Sequence, residues 1–72
     1  IEGEVENSII ARGVIVEKGA KVTDSVLMQG TVVKAGASLS YVITDKGVTV
    51  NEGRMLMGHA TDPLAIAKGS VV

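Results

Sequence analysis

A 17-residue period runs through the chain and restricts its fold more than any other feature. The copy Val5 to Lys21 is followed at once by Val22 to Ser38 and then by Leu39 to Met55. Each copy carries a six-residue rhythm of aliphatic, small or polar, two variable, small, variable. Repeats of this length come from stacked supersecondary units that bury a core only against one another. Alignment of the copies places Val5, Val22, Leu39 and Leu56 in one aliphatic row and Val16, Val33 and Val50 in a second. A third row, Ile10, Leu27, Thr44 and Thr61, turns polar, which predicts a coil that loses regularity after Thr44. A smaller residue lies two positions before an aliphatic one: Ser8 before Ile10, Ala20 before Val22, Ser25 before Leu27, Ala37 before Leu39. Strand alternation turns both members of such a pair to the same side.

The pattern therefore predicts short strands wound around a narrow tube of triangular section, one strand per side. Three sides of six residues would take 18, so a period of 17 leaves one corner a residue short; the aliphatic spacing of five places it between Val5 and Ile10. Gly13, Gly30 and Gly47 recur at one corner, where glycine admits positive φ without strain. Gly19, Gly36 and Gly53 are assigned to the interior of another side. A helix is excluded, because glycine costs about 1 kcal/mol at each interior helical position and the many β-branched residues add to that. The expected inward core is Val5, Ile10, Val16, Val22, Leu27, Val33, Leu39, Val50 and Leu56. Arg54 to Leu64 breaks the rhythm and holds the only Pro, the only His and two of the three Met. After it, Ile66-Ala67-Lys68-Gly69-Ser70-Val71 reads as a return of Val16-Glu17-Lys18-Gly19-Ala20-Lys21. Residues 1–72 are one domain of about four coils, with 54–64 a protruding turn or a modified last coil.

Composition narrows the function. A chain of this size buries only about 60% of its unfolded surface, so stacking and partner contacts must supply stability. There is no Cys, which removes disulfides and thiolate zinc sites and leans towards a cytoplasmic location. Seven Lys and Arg against eight Asp and Glu, with no basic run, give nucleic acid no electrostatic footprint. No apolar run approaches the roughly 20 residues of a membrane-spanning helix. The repeat is already in phase at Ile1, with no initiating Met and no front cap, as in a C-terminal fragment of a longer protein. Open strand edges at the tube ends favour a homo- or hetero-oligomer or an inter-domain contact.

Three runs carry a resemblance: Asn7-Ser8-Ile9-Ile10, Asp24-Ser25-Val26-Leu27-Met28-Gln29-Gly30-Thr31-Val32-Val33, and Tyr41-Val42-Ile43-Thr44-Asp45-Lys46-Gly47-Val48. They resemble the C-terminal left-handed β-helix of bacterial glucose-1-phosphate adenylyltransferases, which make ADP-glucose from ATP and glucose 1-phosphate for glycogen. The ending, Glu52 to Gly58 and on through Pro63 to Ile66-Ala67-Lys68-Gly69, is most similar to the GlgD-type companion subunit. The resemblance implies an all-β fold, a single-stranded left-handed parallel β-helix, acting as a non-catalytic assembly and regulatory module. It also implies an N-terminal nucleotidyltransferase domain and other enzyme subunits as partners. ATP and magnesium belong to that N-terminal domain, whose glycine-rich phosphate loop has no counterpart here, so no catalytic, cofactor or metal residue is carried over.

The hexapeptide rhythm is shared with enzymes of other activities, so fold alone does not give function. The competing reading is an acyltransferase using an acyl-coenzyme A donor, with His59 as general base at a subunit seam. His59 stands beside Gly58 in the irregular segment, where an exposed loop histidine is the expectation. Lys46 is the one candidate contact for an anionic effector, set against the ordinary solvated lysine of a corner. Met28, Met55 and Met57 are candidates for an apolar contact surface, and Tyr41 for a groove-filling residue with its hydroxyl in water.

Overall fold

The computed structural model describes residues 2–72, and all eleven of its strands pair in parallel. They form three sheets that make the faces of one prism. The first face stacks β1 (Glu4–Glu6), β4 (Lys21–Thr23), β7 (Ser38–Ser40) and β10 (Met55–Met57). The second stacks β2 (Ile9–Ile10), β5 (Val26–Leu27), β8 (Val42–Thr44) and β11 (Leu64–Ile66). The third stacks β3 (Ile15–Val16), β6 (Val32–Val33) and β9 (Thr49–Val50), and Val71 bridges to Thr49 to extend it into the last coil.

Registers follow the aliphatic rows. Val5, Val22, Leu39 and Leu56 are successive partners, as are Val16, Val33 and Val50. Val16, Val22, Leu27, Val33, Leu39 and Val50 are buried, while Val5, Ile10 and Leu56, in the end coils, pack against them half-buried. The small partners fill the corners of the interior: Ala20, Ser25 and Ala37 are buried, and Thr31 and Val48 join them. Ser25 Oγ donates to Thr23 O at 2.8 Å and accepts from Val42 N–H at 3.1 Å. Ser8 makes the same pair of bonds one coil earlier, to Glu6 O and from Ser25 N–H. An inward hydroxyl is tolerated because it is fully bonded.

The short corner lies where the spacing of five predicts it, and each of its turns rests on one left-handed residue: Asn7 (φ 47°), Asp24 (φ 49°) and Tyr41 (φ 53°). Asn and Asp accept this region more readily than other residues, whereas Tyr41 holds it against a cost on the order of 1–2 kcal/mol. Two assignments from the sequence are corrected. Gly19, Gly36 and Gly53 do not lie within a side; with φ of 67–85° they form a third corner, the counterpart of the Gly13 corner. The coil also does not lose regularity at Thr44. The partner of Thr44 in the last coil is Ile66, not Thr61.

The reason is an insertion. Ile43 follows its partner Val26 by 17 residues, but Ala65 follows Ile43 by 22, so the last coil carries five extra residues at the short corner. The break is thus confined to residues 58–63, narrower than Arg54 to Leu64, since Met55–Met57 is a regular strand in register with Ser38–Ser40. His59 and Asp62 exchange N–H···O bonds of 3.1 and 3.0 Å across Ala60-Thr61, making a small hairpin that leaves and rejoins the same corner.

Thr44 is fully buried, and its Oγ1 lies 2.9 Å from Thr31 Oγ1 while accepting from Met28 N–H at 3.3 Å. Thr31 Oγ1 also reaches Asp45 O at 3.3 Å. Thr44→Val removes the acceptor of Met28 N–H and one partner of Thr31, whereas Thr31→Val leaves Thr44 its bond from Met28. An orphaned buried donor costs about 1–3 kcal/mol, so the urea midpoint of Thr44→Val should fall clearly below that of Thr31→Val. Equal midpoints would show that the hydroxyl pair carries no such role.

Candidate functional site

The chemical side chains of this chain are sorted by the prism's corners and outward faces. On the first face the outward columns are Glu4, Lys21, Ser38, Met55 and Glu6, Thr23, Ser40, Met57, polar until the last coil. The chain's one salt bridge among the described residues is here, Lys21 Nζ to Glu4 Oε2 at 3.8 Å, and both ends are exposed enough that it adds little stability. On the second face the outward column is Ile9, Val26, Ile43, Ala65, apolar throughout, with Ile9 67% exposed. The third face shows Ile15, Val32, Thr49 and Val71.

The corner after the second face concentrates positive charge. Arg12, Gln29, Lys46 and Lys68 hold equivalent places before Gly13, Gly30, Gly47 and Gly69, and the bonds from Gly30 N to Arg12 O, Gly47 N to Gln29 O and Gly69 N to Lys46 O stack them coil on coil. All four side chains are exposed, and none of the three cations forms an ion pair. Lys46 thus stands directly beside Lys68, one strand spacing of about 4.8 Å away. Asp45, its chain neighbour, turns Oδ1 back to Lys46 N–H at 2.7 Å. Between this corner and the aliphatic column lies a groove of about 300 Å³ lined by Met28, Ile43, Thr44, Asp45, Ala65 and Ile66. A second hollow of about 370 Å³ sits at the opposite end, over Glu2, Gly3, Glu4, Gly19, Ala20 and Lys21.

The column of Lys46 and Lys68 is not legible from the repeat. Ile66-Ala67-Lys68-Gly69 does not return as Val16-Glu17-Lys18-Gly19; its partners are Thr44-Asp45-Lys46-Gly47, because β11 pairs with β8 and Asp45 N donates to Ile66 O. The two hexapeptides look alike, and only pairing separates them.

The other candidates are scattered. His59 is exposed on the inserted hairpin, away from the Lys46 corner in the register of the coil. Met55 and Met57 flank inward Leu56 and are 72% and 68% exposed on the first face, while Met28 lines the groove on the second. Tyr41 is half-buried at the short corner, where its carbonyl receives Leu64 N–H at 2.9 Å. Among the described residues no three His, Asp or Glu side chains lie close enough to hold a metal ion, and no strand-to-helix turn is present to cradle a triphosphate. These residues do not fit ATP or magnesium, so no chemical step through either is assigned to this chain.

Three parallel sheets closed coil by coil around an interior of aliphatic and small residues define a hexapeptide-repeat β-solenoid. The family model for the GlmU-like C-terminal hexapeptide matches residues 1–63, and the chain belongs to that family. Its coil is the left-handed β-helix of hexapeptide proteins. No curated protein and no solved structure matches the chain. Among the described residues no helix is long and apolar enough to cross a membrane.

Proposed function

We propose that this β-helix is a non-catalytic assembly and regulatory module of a glucose-1-phosphate adenylyltransferase, with activity residing in an N-terminal nucleotidyltransferase domain that binds ATP and magnesium. The observation that carries the reading is the outward aliphatic column Ile9, Val26, Ile43 and Ala65 on a flat sheet face. Apolar surface arranged in a continuous stripe favours contact with another domain or subunit. The Ser25-Val26-Leu27-Met28 and Thr44-Asp45-Lys46 stretches point to this enzyme among hexapeptide proteins. Lys46 contacts an anionic effector in this reading, with Lys68 beside it. The setting is cytoplasmic, and the assembly is homo- or hetero-oligomeric.

The test is ADP-glucose synthesis by the full-length assembly. Lys46→Ala should weaken the effector response several-fold while leaving basal turnover intact. An unchanged response removes the effector contact, and a full-length protein that neither makes ADP-glucose nor associates with a subunit that does so removes the whole reading. The acyltransferase alternative keeps one point in its favour, the exposed His59 on a protruding hairpin at the end of the stack. Saturable binding of acetyl-coenzyme A, with acetyl transfer lost in His59→Ala, would replace the first reading with that one.

A further inference from the structure

The geometry points to a binding site for a small amphipathic anion, with an apolar body in the groove of Met28, Ile43 and Ala65 and a phosphate-like group on Lys46 and Lys68. Two independent features converge there. The groove is apolar where it opens: Met28 and Ile43, diagonal to each other on adjacent coils, are 39% and 41% exposed, with the small Ala65 next to Ile43 on the last coil. The corner that borders it carries two stacked lysines without ion-pair partners.

Several details favour a ligand of this kind over a bare anion or a macromolecule. Two lysines of like charge rooted one strand spacing of about 4.8 Å apart on adjacent coils repel each other, and a doubly charged group that both side chains reach relieves that repulsion. Asp45 stands at the boundary, yet its Oδ1 accepts from Lys46 N–H, which holds the carboxylate to the backbone, and it forms no ion pair with either lysine. A volume of about 300 Å³ lies at the lower end of small-molecule sites and is too small for a helix or a folded partner. The apolar lining distinguishes this ligand from a purely polar sugar phosphate, which would leave Met28 and Ile43 exposed to water. Arg12, two coils from Lys46 with Gln29 between, adds long-range attraction along the same corner.

This inference deepens the effector reading of Lys46, and binding to the chain alone separates the two. The probe is hexyl phosphate, titrated into the full chain and followed by amide NMR shifts, with inorganic phosphate and hexanol as controls. The expected result is saturable shifts centred on Met28, Ile43, Lys46, Ala65 and Lys68, with hexyl phosphate at least ten-fold tighter than either control. Lys46→Gln with Lys68→Gln should weaken it about five-fold or more at low salt without disturbing the other amides. Equal binding of inorganic phosphate, equal binding of hexanol, indifference to the double substitution, or shifts centred elsewhere would each overturn the site. If hexyl phosphate binds as expected while the assembled enzyme shows no effector response, the regulatory reading fails and the site stands.

Discussion

Val33→Asp should abolish cooperative folding of the chain. Val33 is fully buried in the second coil, stacked between Val16 and Val50 within the aliphatic core. A tube this narrow has no route by which a carboxylate can reach water. An uncompensated buried charge costs about 3–5 kcal/mol, a large part of the roughly 5–15 kcal/mol by which domains are stable. Val32→Asp is the matched control, since Val32 turns outward on the same strand and its carboxylate stays hydrated. Circular dichroism and urea unfolding should show a lost transition for the first variant and a near-native midpoint for the second. The new carboxyl at position 33 would have its folded pKa raised above the unfolded value of about 3.9, so the charge penalty is present at neutral pH, shrinks as pH falls from the folded pKa, and is gone below about pH 4, where both states are protonated. A native-like midpoint for Val33→Asp would mean that the inward and outward rows are exchanged.

Gly58→Ala should also be clearly destabilising, although it adds one methyl group at a position that is only half-buried. A Cβ on Gly58 would meet the Tyr41 carbonyl oxygen and sit 2.5 Å from Leu64 N, both of them backbone atoms held by the bond from Leu64 N to Tyr41 O. Backbone cannot step aside as a flexible side chain can, so either the last coil lifts from the third or that bond is lost. Forced overpacking of this kind costs about 1–3 kcal/mol. Deletion of residues 59–63 is the informative counterpart. It joins Gly58 to Leu64, restores the 17-residue spacing to Val42, and removes the hairpin without touching a core residue. The deleted chain should fold with a urea midpoint close to that of the parent. Loss of folding on deletion would make the hairpin part of the stack and not an addition to it.

Both predictions depend on how the repeat maps onto space, and the sequence carries that map unevenly. The rows through Val5 and Val16 are readable because strand alternation has period two and the tube tolerates only aliphatic or small residues inside. The short corner is readable for the same reason: a missing residue shifts the aliphatic spacing, and Asn7, Asp24 and Tyr41 then occupy the turn. Thr44 misleads because its side chain is polar, yet a buried hydroxyl is stable once Thr31 and Met28 satisfy it. The Gly19 column misleads because any glycine in a hexapeptide can stand at a corner or within a side, and only the observed φ separates the two.

The candidate site was the least legible part. Lys46 stands out in the sequence, but its neighbour Lys68 is 22 residues away in a chain whose period is 17. No property of Lys68 itself announces the pairing. Met28, Ile43 and Ala65 come from three different coils and share a groove through register alone.

The sequence by itself determined that the chain winds into a three-sided coil and which residues of the regular copies turn inward, because period and alternation are local and every copy repeats them. Tertiary structure decided which face the last hexapeptide joins, and with it which charges and apolar groups lie together. The physical reason is that all three faces accept the same hexapeptide. Position is then set by hydrogen bonds between coils, across an insertion whose length the repeat does not encode.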